Sequence, residues 1–280
     1  MKIIRTALEI QQYCSKLKAS GQKIGFIPTM GALHYGHLSL LDFSLAQCDI
    51  TIISIFVNPS QFTESLDFKN YPRQESEDII KIGKRKVDVL FIPSVDEIYY
   101  RNEALLEFNL EGLDEVLEGK WRPGHFKGVI TVVDKLFKLI QPDRAYFGLK
   151  DFQQICIIKK MSKVLHPSIE IVGCDIIRED SGLAMSSRNA LLTESEKLEA
   201  VIISKTLFRI RDAWKKTTAK ELLSDAVANF NKSKLHLEYL EIVDADTLKA
   251  VSDNTNNKSV ACIAAKCGNV RLIDNVILLP

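Results

Sequence analysis

Of the five histidines in this 280-residue chain, two, His34 and His37, stand three positions apart in the stretch "PTMGALHYGHLSL", with Gly36 directly before the second. The apolar residues ahead of Pro28 read as a strand and those after His37 as a helix, so the pair falls at a strand-to-helix turn. There the first backbone N–H groups of the helix have no intrahelical partner, and the dipole presents its positive end. Two imidazoles add further donors. This suits the binding of an anion, phosphate above all, with Gly31 and Gly36 letting the backbone approach it closely. Taken alone, His-x-Gly-His is short enough to arise by chance, and a surface turn residue (His34) beside a half-buried helix residue (His37) is an equal reading.

Other residues could share that chemistry. Neither GxxxxGK[ST] nor GxGxxG occurs, so the usual phosphate-binding loops are absent. "GLKDFQQ" (148–154) follows an apolar run and opens a helix; Lys150 offers a point charge for a phosphate, and Asp151 is of a type that caps helices. "MSSRN" (185–189) follows the polar, glycine-containing "REDSG" and reads as a loop. In it Ser186 and Ser187 supply hydroxyl donors, and Arg188 supplies a planar cationic fork. A second string, "KMSK" (160–163), sits in a helical pattern whose Ile155, Ile158, Met161, Val164 and Leu165 should face the core, so it reads as two solvated lysines around a core methionine. His125 in "RPGHFKG" reads as a structural histidine at a turn, and Arg73 in "YPR" as either an anion contact or half of a surface ion pair. His166 and His236 have no motif around them. The six cysteines form no CxxC pair, which excludes a zinc ribbon and points to free thiols in a reducing compartment.

The elements that must hold these residues follow from the apolar pattern. Short runs at 23–28, 50–57, 87–93, 144–148 and 169–177 read as buried strands, and helical segments at 36–48, 74–86, 126–140 and 151–165 alternate with them. That rhythm predicts a doubly wound, Rossmann-like parallel α/β sheet over 1–175, whose ligands bind beyond the C-terminal strand ends. Beyond it the pattern changes. Thr193 with Glu196, and Thr218 with Glu221, have capping-box spacing ahead of two helices. Three strands at 237–243, 259–266 and 270–278 then suggest a small antiparallel sheet, giving a C-terminal α+β domain over 176–280. With 37 basic and 36 acidic residues the net charge of +1 favours neither nucleic acid nor a membrane surface. The longest apolar run, "ITIISIFV", is too short to span a bilayer, and the polar N-terminus is not a signal peptide. A cytoplasmic protein is expected.

The string "PTMGALHYGHLSL" resembles the HIGH-type signature of adenylate-forming nucleotidyltransferases. With "SIFVNPSQF" (54–62), "YPR" (71–73), "RPGHFKGV" (122–129), "FGLKDFQQ" (147–154), "GLAMSSRN" (182–189) and "RLIDN" (271–275), in that order, the chain is similar over nearly its whole length to the pantoate–β-alanine ligase family. The resemblance implies ATP-dependent condensation of (R)-pantoate with β-alanine through a pantoyl adenylate, in a cytoplasmic homodimer, with the C-terminal domain as a lid. It implies an ATP site of Met30, Gly31, Ala32, Leu33, His34, Tyr35, Gly36, His37, Gly148, Leu149, Lys150, Asp151, Ile177, Met185, Ser186, Ser187 and Arg188. Gln61 and Gln154 correspond to pantoate-binding glutamines, with Asn58 beside them. His37, His34, Lys150 and Arg188 carry the catalysis, His37 either as proton donor or as a charged hydrogen-bond donor to pyrophosphate. Mg²⁺ would accompany ATP, held partly by phosphates and water, and no protein ligand is assigned to it. Leu149 departs from the family's usual Glu or Gln, which removes any polar part for that side chain. Among rivals, another nucleotidyltransferase is disfavoured by the glutamine-bearing blocks and the extra domain. A truncated aminoacyl-tRNA synthetase is disfavoured by the absence of a basic excess. A non-catalytic nucleotide sensor is disfavoured by the intact histidines, Lys150 and Arg188.

Overall fold

Strands covered by helices on both faces are apolar at nearly every position, and strand β3 (Ile50–Ile55) is buried throughout. It lies in a parallel sheet with β2 (Ile24–Thr29), β4 (Val89–Phe91), β5 (Arg144–Gly148) and β6 (Glu170–Cys174). These answer the five predicted runs. A further strand, β1 (Lys2–Ile4), pairs with β4 at the sheet edge; only its Ile4 is buried, so it shows no apolar run. The order is β1-β4-β3-β2-β5-β6. From β2 the chain winds outward through β3 and β4, then returns to the other side of β2 for β5 and β6. The winding reverses between β2 and β5, where open α/β sheets bind their ligands. The computed structural model describes residues 1–63, 65–101, 103–252 and 258–278.

The helices of this part are α1 (Ala7–Ala19), α2 (Tyr35–Gln47), α3 (Ser65–Asn70), α4 (Glu75–Gly83), α5 (Val95–Ile98), α6 (Leu117–Trp121), α7 (His125–Ile140) and α8 (Phe152–Leu165). Helix α1 escapes the sequence pattern because only Ile10 and Cys14 of it are buried. In α8, Ile155, Ile158 and Met161 are buried as expected, but Val164 and Leu165 are 63% and 40% exposed. The buried stripe runs instead through Ile157 and Ser162, and the last turn projects beyond the packed layer.

By compactness the first unit comprises Met1–Asp114, Gly119–Leu149 and Gln154–Asp175. The second takes the described residues from Ile176 onward together with Glu115–Glu118 and Lys150–Gln153. It contains α9 (Glu194–Ala213) and α10 (Ala219–Phe230), each opened by the capping box expected from its Thr/Glu spacing. Strands β7 (His236–Asp244), β8 (Ser259–Cys267) and β9 (Val270–Leu278) form an antiparallel sheet against these helices, with a core that includes Ile203, Leu207, Phe230, Ile242 and Ile263. The two borrowed segments are tied in by polar bonds. The Arg271 guanidinium donates to Glu118 Oε2 and Oε1 at 2.6 and 2.8 Å, and the Tyr239 hydroxyl donates to Glu118 Oε1 at 2.8 Å. Asn275 Nδ2 donates to the Lys150 carbonyl at 2.9 Å. The whole is a Rossmann-like α/β unit with a smaller α+β unit. Among the described residues no helix is long and apolar enough to cross a membrane.

Candidate active site

At the end of β2 the chain must turn sharply into α2, and Gly31 and Ala32 do so with consecutive left-handed φ values of 79° and 49°. A side chain at Gly31 would be strained by that φ, and its Cβ would fall 3.0 Å from both Asp78 Oδ2 and Ile55 Cγ2. The turn is gripped by α4. Asp78, fully buried, accepts from the Ala32 N–H at 2.8 Å through Oδ2 and from the Leu33 N–H at 2.7 Å through Oδ1. Lys81 Nζ donates to the Leu33 carbonyl at 2.9 Å. Burial pushes the Asp78 carboxyl above the ordinary carboxylate value, with the Leu33 and Ala32 amides and Lys81 pulling the other way.

The two histidines cap the helix that they open, which gives each a structural part. His34 is the extended N-cap of the 13-residue α2, and its Nδ1 accepts from the Gly36 N–H at 3.1 Å. In return the His34 N–H donates to His37 Nδ1 at 3.4 Å, closing a capping box made of two imidazoles whose ring centroids lie 4.1 Å apart. An Nδ1 that accepts leaves the proton of a neutral imidazole on Nε2. The cap therefore fixes both tautomers as Nε2–H donors beside the positive end of the helix. Tyr35 between them is 69% exposed.

Gln61 closes a 3₁₀ turn, Pro59–Gln61, that follows β3, and is 8% exposed. Asn58, almost wholly buried, donates through Nδ2 to Gln61 Oε1 at 3.1 Å and to the Gly128 carbonyl at 3.2 Å. Its Oδ1 accepts from the Ser60 N–H at 3.3 Å, the Ser60 hydroxyl at 2.9 Å and the Tyr99 hydroxyl at 2.8 Å. Gln61 Nε2 reaches Met30 Sδ at 2.9 Å, which brings the glutamine to the foot of the histidine turn. Helix α7 comes very close here: a Cβ on Gly128 would fall 2.1 Å from the Ser60 carbonyl oxygen. His125, read from sequence as structural, supports this turn directly. Arg122 always donates, so its contact with His125 Nε2 at 3.1 Å makes Nδ1 the protonated nitrogen, and that N–H donates to the Gln61 carbonyl at 2.7 Å. Gln154 is half-buried in the first turn of α8. Gly148 ends β5, and Leu149 lays its side chain against Gly173 of β6, which suits an apolar residue there.

The remaining sequence-assigned residues belong to the second unit. Lys150 and Asp151 lie in a 3₁₀ turn, Leu149–Asp151, with Lys150 Nζ 3.7 Å from Asp151 Oδ1. Ile177 and Met185 are joined by a bond from the Met185 N–H to the Ile177 carbonyl at 3.0 Å, at the base of a hairpin bridged by Arg178 and Ala184. Arg178 donates to Asp274 Oδ2 at 2.6 Å and Oδ1 at 3.0 Å. The "MSSRN" segment is not a plain loop. Ser186 caps a 3₁₀ turn, Ser187–Leu191, accepting from the Arg188 N–H at 3.3 Å. Buried Asn189 ties that turn back to Glu179 and the Ala184 carbonyl. In the "KMSK" string Met161 is fully buried and Lys163 exposed, as read, whereas Lys160 is half-buried and paired with Glu111. The Arg73 guanidinium donates to the Phe68, Lys69 and Tyr71 carbonyls at the end of α3. Among the described residues no group of three or more His, Cys, Asp or Glu is placed to hold a metal ion.

Fold and site together define a Rossmann-like α/β protein with a histidine-capped helix at the point where the winding reverses, joined to an α+β unit. The chain belongs to the pantoate-beta-alanine ligase family, whose model matches residues 2–277. It is 47% identical over 281 residues to pantothenate synthetase from Bacteroides fragilis, covering 99% of this chain and 98% of that protein. Its identity to pantothenate synthetase from Acetivibrio thermocellus is 45% over 284 residues, 99% of each. The crystal structure of pantothenate synthetase from Thermus thermophilus matches with a TM-score of 0.94 at 34% identity, over 100% of both chains. That of pantoate-beta-alanine ligase from Francisella tularensis, complexed with beta-gamma ATP and beta-alanine, matches with a TM-score of 0.83 at 37% identity over 99% of this chain and 97% of that one.

Proposed function

We propose that the chain joins (R)-pantoate to β-alanine at the expense of ATP, giving pantothenate, AMP and pyrophosphate. The observation that carries this reading is the imidazole capping box of α2, which sets two Nε2–H donors at a helix N-terminus in a chain of this family. In the first half-reaction a pantoate carboxylate oxygen bonds to the α-phosphorus of ATP and the bond from that phosphorus to the bridging oxygen breaks, releasing pyrophosphate. Two anions must meet, so positioning and charge stabilisation dominate. In the second, the neutral amine of β-alanine attacks the acyl carbon, AMP leaves with the electron pair of the broken C–O bond, and the nitrogen gives up one proton to water.

In this reading His34 and His37 donate to the phosphates, and charge on the departing pyrophosphate meets His37 Nε2–H. Lys150, Ser186, Ser187 and Arg188 supply further phosphate contacts, the nucleotide lying along Met30 to His37, Gly148 to Asp151, Ile177 and Met185. Gln61, Gln154 and Asn58 take the pantoate. Mg²⁺ would enter with ATP and supply charge neutralisation, with no residue of this chain assigned to hold it. Assembly as a homodimer and a cytoplasmic setting complete the proposal; six free thiols suit the latter. The decisive assay is pantoate-dependent exchange of pyrophosphate into ATP. His37→Ala and Arg188→Ala should each lose most of it while still unfolding cooperatively, His37→Ala at a somewhat lower temperature because it opens the capping box, and near wild-type exchange in either removes the basis of the assignment.

A further inference from the structure

The direction in which Gln61 presents its amide is decided by groups that have no choice of direction. A backbone N–H can only donate and a carbonyl can only accept. Asn58 sits between one of each: the Ser60 N–H on one side and the Gly128 carbonyl on the other. Its Oδ1 must therefore face Ser60 and its Nδ2 must face Gly128. The same Nδ2 meets Gln61 at 3.1 Å, so the Gln61 atom there must be Oε1, and Nε2 points away toward Met30. A third donor locks the arrangement from outside the turn. The Tyr99 hydroxyl, at the C-terminal end of α5, donates to Asn58 Oδ1 at 2.8 Å and lies 2.9 Å from the Ser60 hydroxyl. Burial raises the Tyr99 pKa, which keeps the phenol a donor.

We infer that Tyr99 is a positioning residue for the acid substrate: together with the Ser60 N–H and the Gly128 carbonyl it holds Asn58 in place, and through Asn58 it keeps Gln61 with its amide N–H₂ group on the Met30 side, so that the N–H not turned to Met30 Sδ reads the ligand as a hydrogen-bond acceptor. This rests on the proposed pantoate reading of Gln61. A carboxylate or hydroxyl oxygen fits such a donor; a ligand that must itself donate there does not.

The test is steady-state AMP formation by the full chain, varying pantoate and ATP separately, for wild type, Tyr99→Phe, Gln61→Ala and the double variant. Phenylalanine keeps the ring against Phe56 (centroids 6.4 Å) and under Lys135 (5.4 Å), so only the hydroxyl is removed. The KM for pantoate should rise about three- to tenfold, the span of one lost hydrogen bond, with kcat and the KM for ATP within about twofold. In the Gln61→Ala background the same substitution should add nothing, because the amide it orients is gone. An unchanged pantoate KM, an equal rise in the KM for ATP, or an undiminished effect without Gln61 overturns the inference. Wild-type chain that forms no AMP with pantoate overturns the functional reading itself, and the inference with it.

Discussion

Gly128→Ala sets two physical expectations against each other. Inside α7 alanine is the better helix former by about 1 kcal/mol, so propensity alone predicts a more stable protein. The new Cβ, however, would lie 2.1 Å from the Ser60 oxygen, 2.5 Å from its carbonyl carbon and 2.7 Å from the Gln61 nitrogen. Ordinary contact begins near 3.4 Å, so the Ser60 carbonyl and the helix must separate by about 1.3 Å. Both neighbours are backbone, and the turn is held by Asn58 on one side and His125 on the other, so Gln61 moves with it. Overpacking of this kind costs about 1–3 kcal/mol, which leaves a net destabilisation of about 0–2 kcal/mol after the helix gain. The functional loss should be larger than the stability loss. A displacement of about 1 Å at a positioning group costs about 100-fold, here in kcat/KM for pantoate. Urea unfolding gives the first quantity, and initial rates of AMP formation with pantoate varied give the second. A Gly128→Ala protein that is both more stable than wild type and within about threefold of its pantoate kcat/KM would refute the reasoning.

Two further outcomes follow from buried carboxylates. Asp78→Ala strips the Ala32 and Leu33 amides of their acceptor, and two charge-assisted bonds at about 1.5–3 kcal/mol each predict a stability loss of about 3 kcal/mol or more, with a raised KM for ATP; wild-type urea stability would show the turn is held by something else. Asp134, buried in α7, is pushed up by burial but held lower overall, below the ordinary carboxylate value, by the His166 imidazole at 2.9 Å and Lys138 Nζ at 2.7 Å. Its folded pKa lies below the unfolded one, so its contribution is full above the ordinary carboxylate range and is lost as pH falls through the folded value. Asp134→Asn should therefore be less stable than wild type at about pH 7, with the gap closing as pH drops below the usual carboxylate range. A gap constant from neutral to strongly acid pH in urea titrations would contradict this.

What the sequence disclosed was whatever is decided within a few residues. The capping boxes of α9 and α10 rest on side chains three positions apart, and both formed as spaced. The five strands from β2 to β6 showed because each lies in a longer apolar run, as a sheet covered on both faces requires. Strand β1 did not, since it lies at the sheet edge with Lys2 and Ile3 exposed and only Ile4 buried. The histidine pair belongs to the legible kind, since the cap joins positions three apart. The long-range polar supports in either unit do not: Asp78 grips residues 45 and 46 positions away, Tyr99 bonds 41 positions back, and Arg178 meets an aspartate 96 positions on. No spacing rule relates such pairs, and each partner taken singly is an ordinary polar residue.

The "RLIDN" block is an intermediate case, visible as a motif but silent about its work until the bonds are traced. Asp274 and Asn275 are 4% and 3% exposed on a strand of a three-stranded sheet. Burying such groups is unfavourable unless every one is matched. Asp274, whose carboxyl burial pushes upward, is met by the Arg178 fork, which fixes the hairpin leading into Met185–Arg188. Asn275 takes hold of the Lys150 carbonyl, and Arg271 binds Glu118, whose N–H in turn donates to Gln153 Oε1 at 2.8 Å. Three polar residues in five positions of β9 thus brace both segments of the second unit that carry the proposed phosphate-binding cations. Their chemistry is that of support, and their burial shows why apolar substitutes at the same positions would preserve a strand yet leave Lys150 and Arg188 without fixed footing.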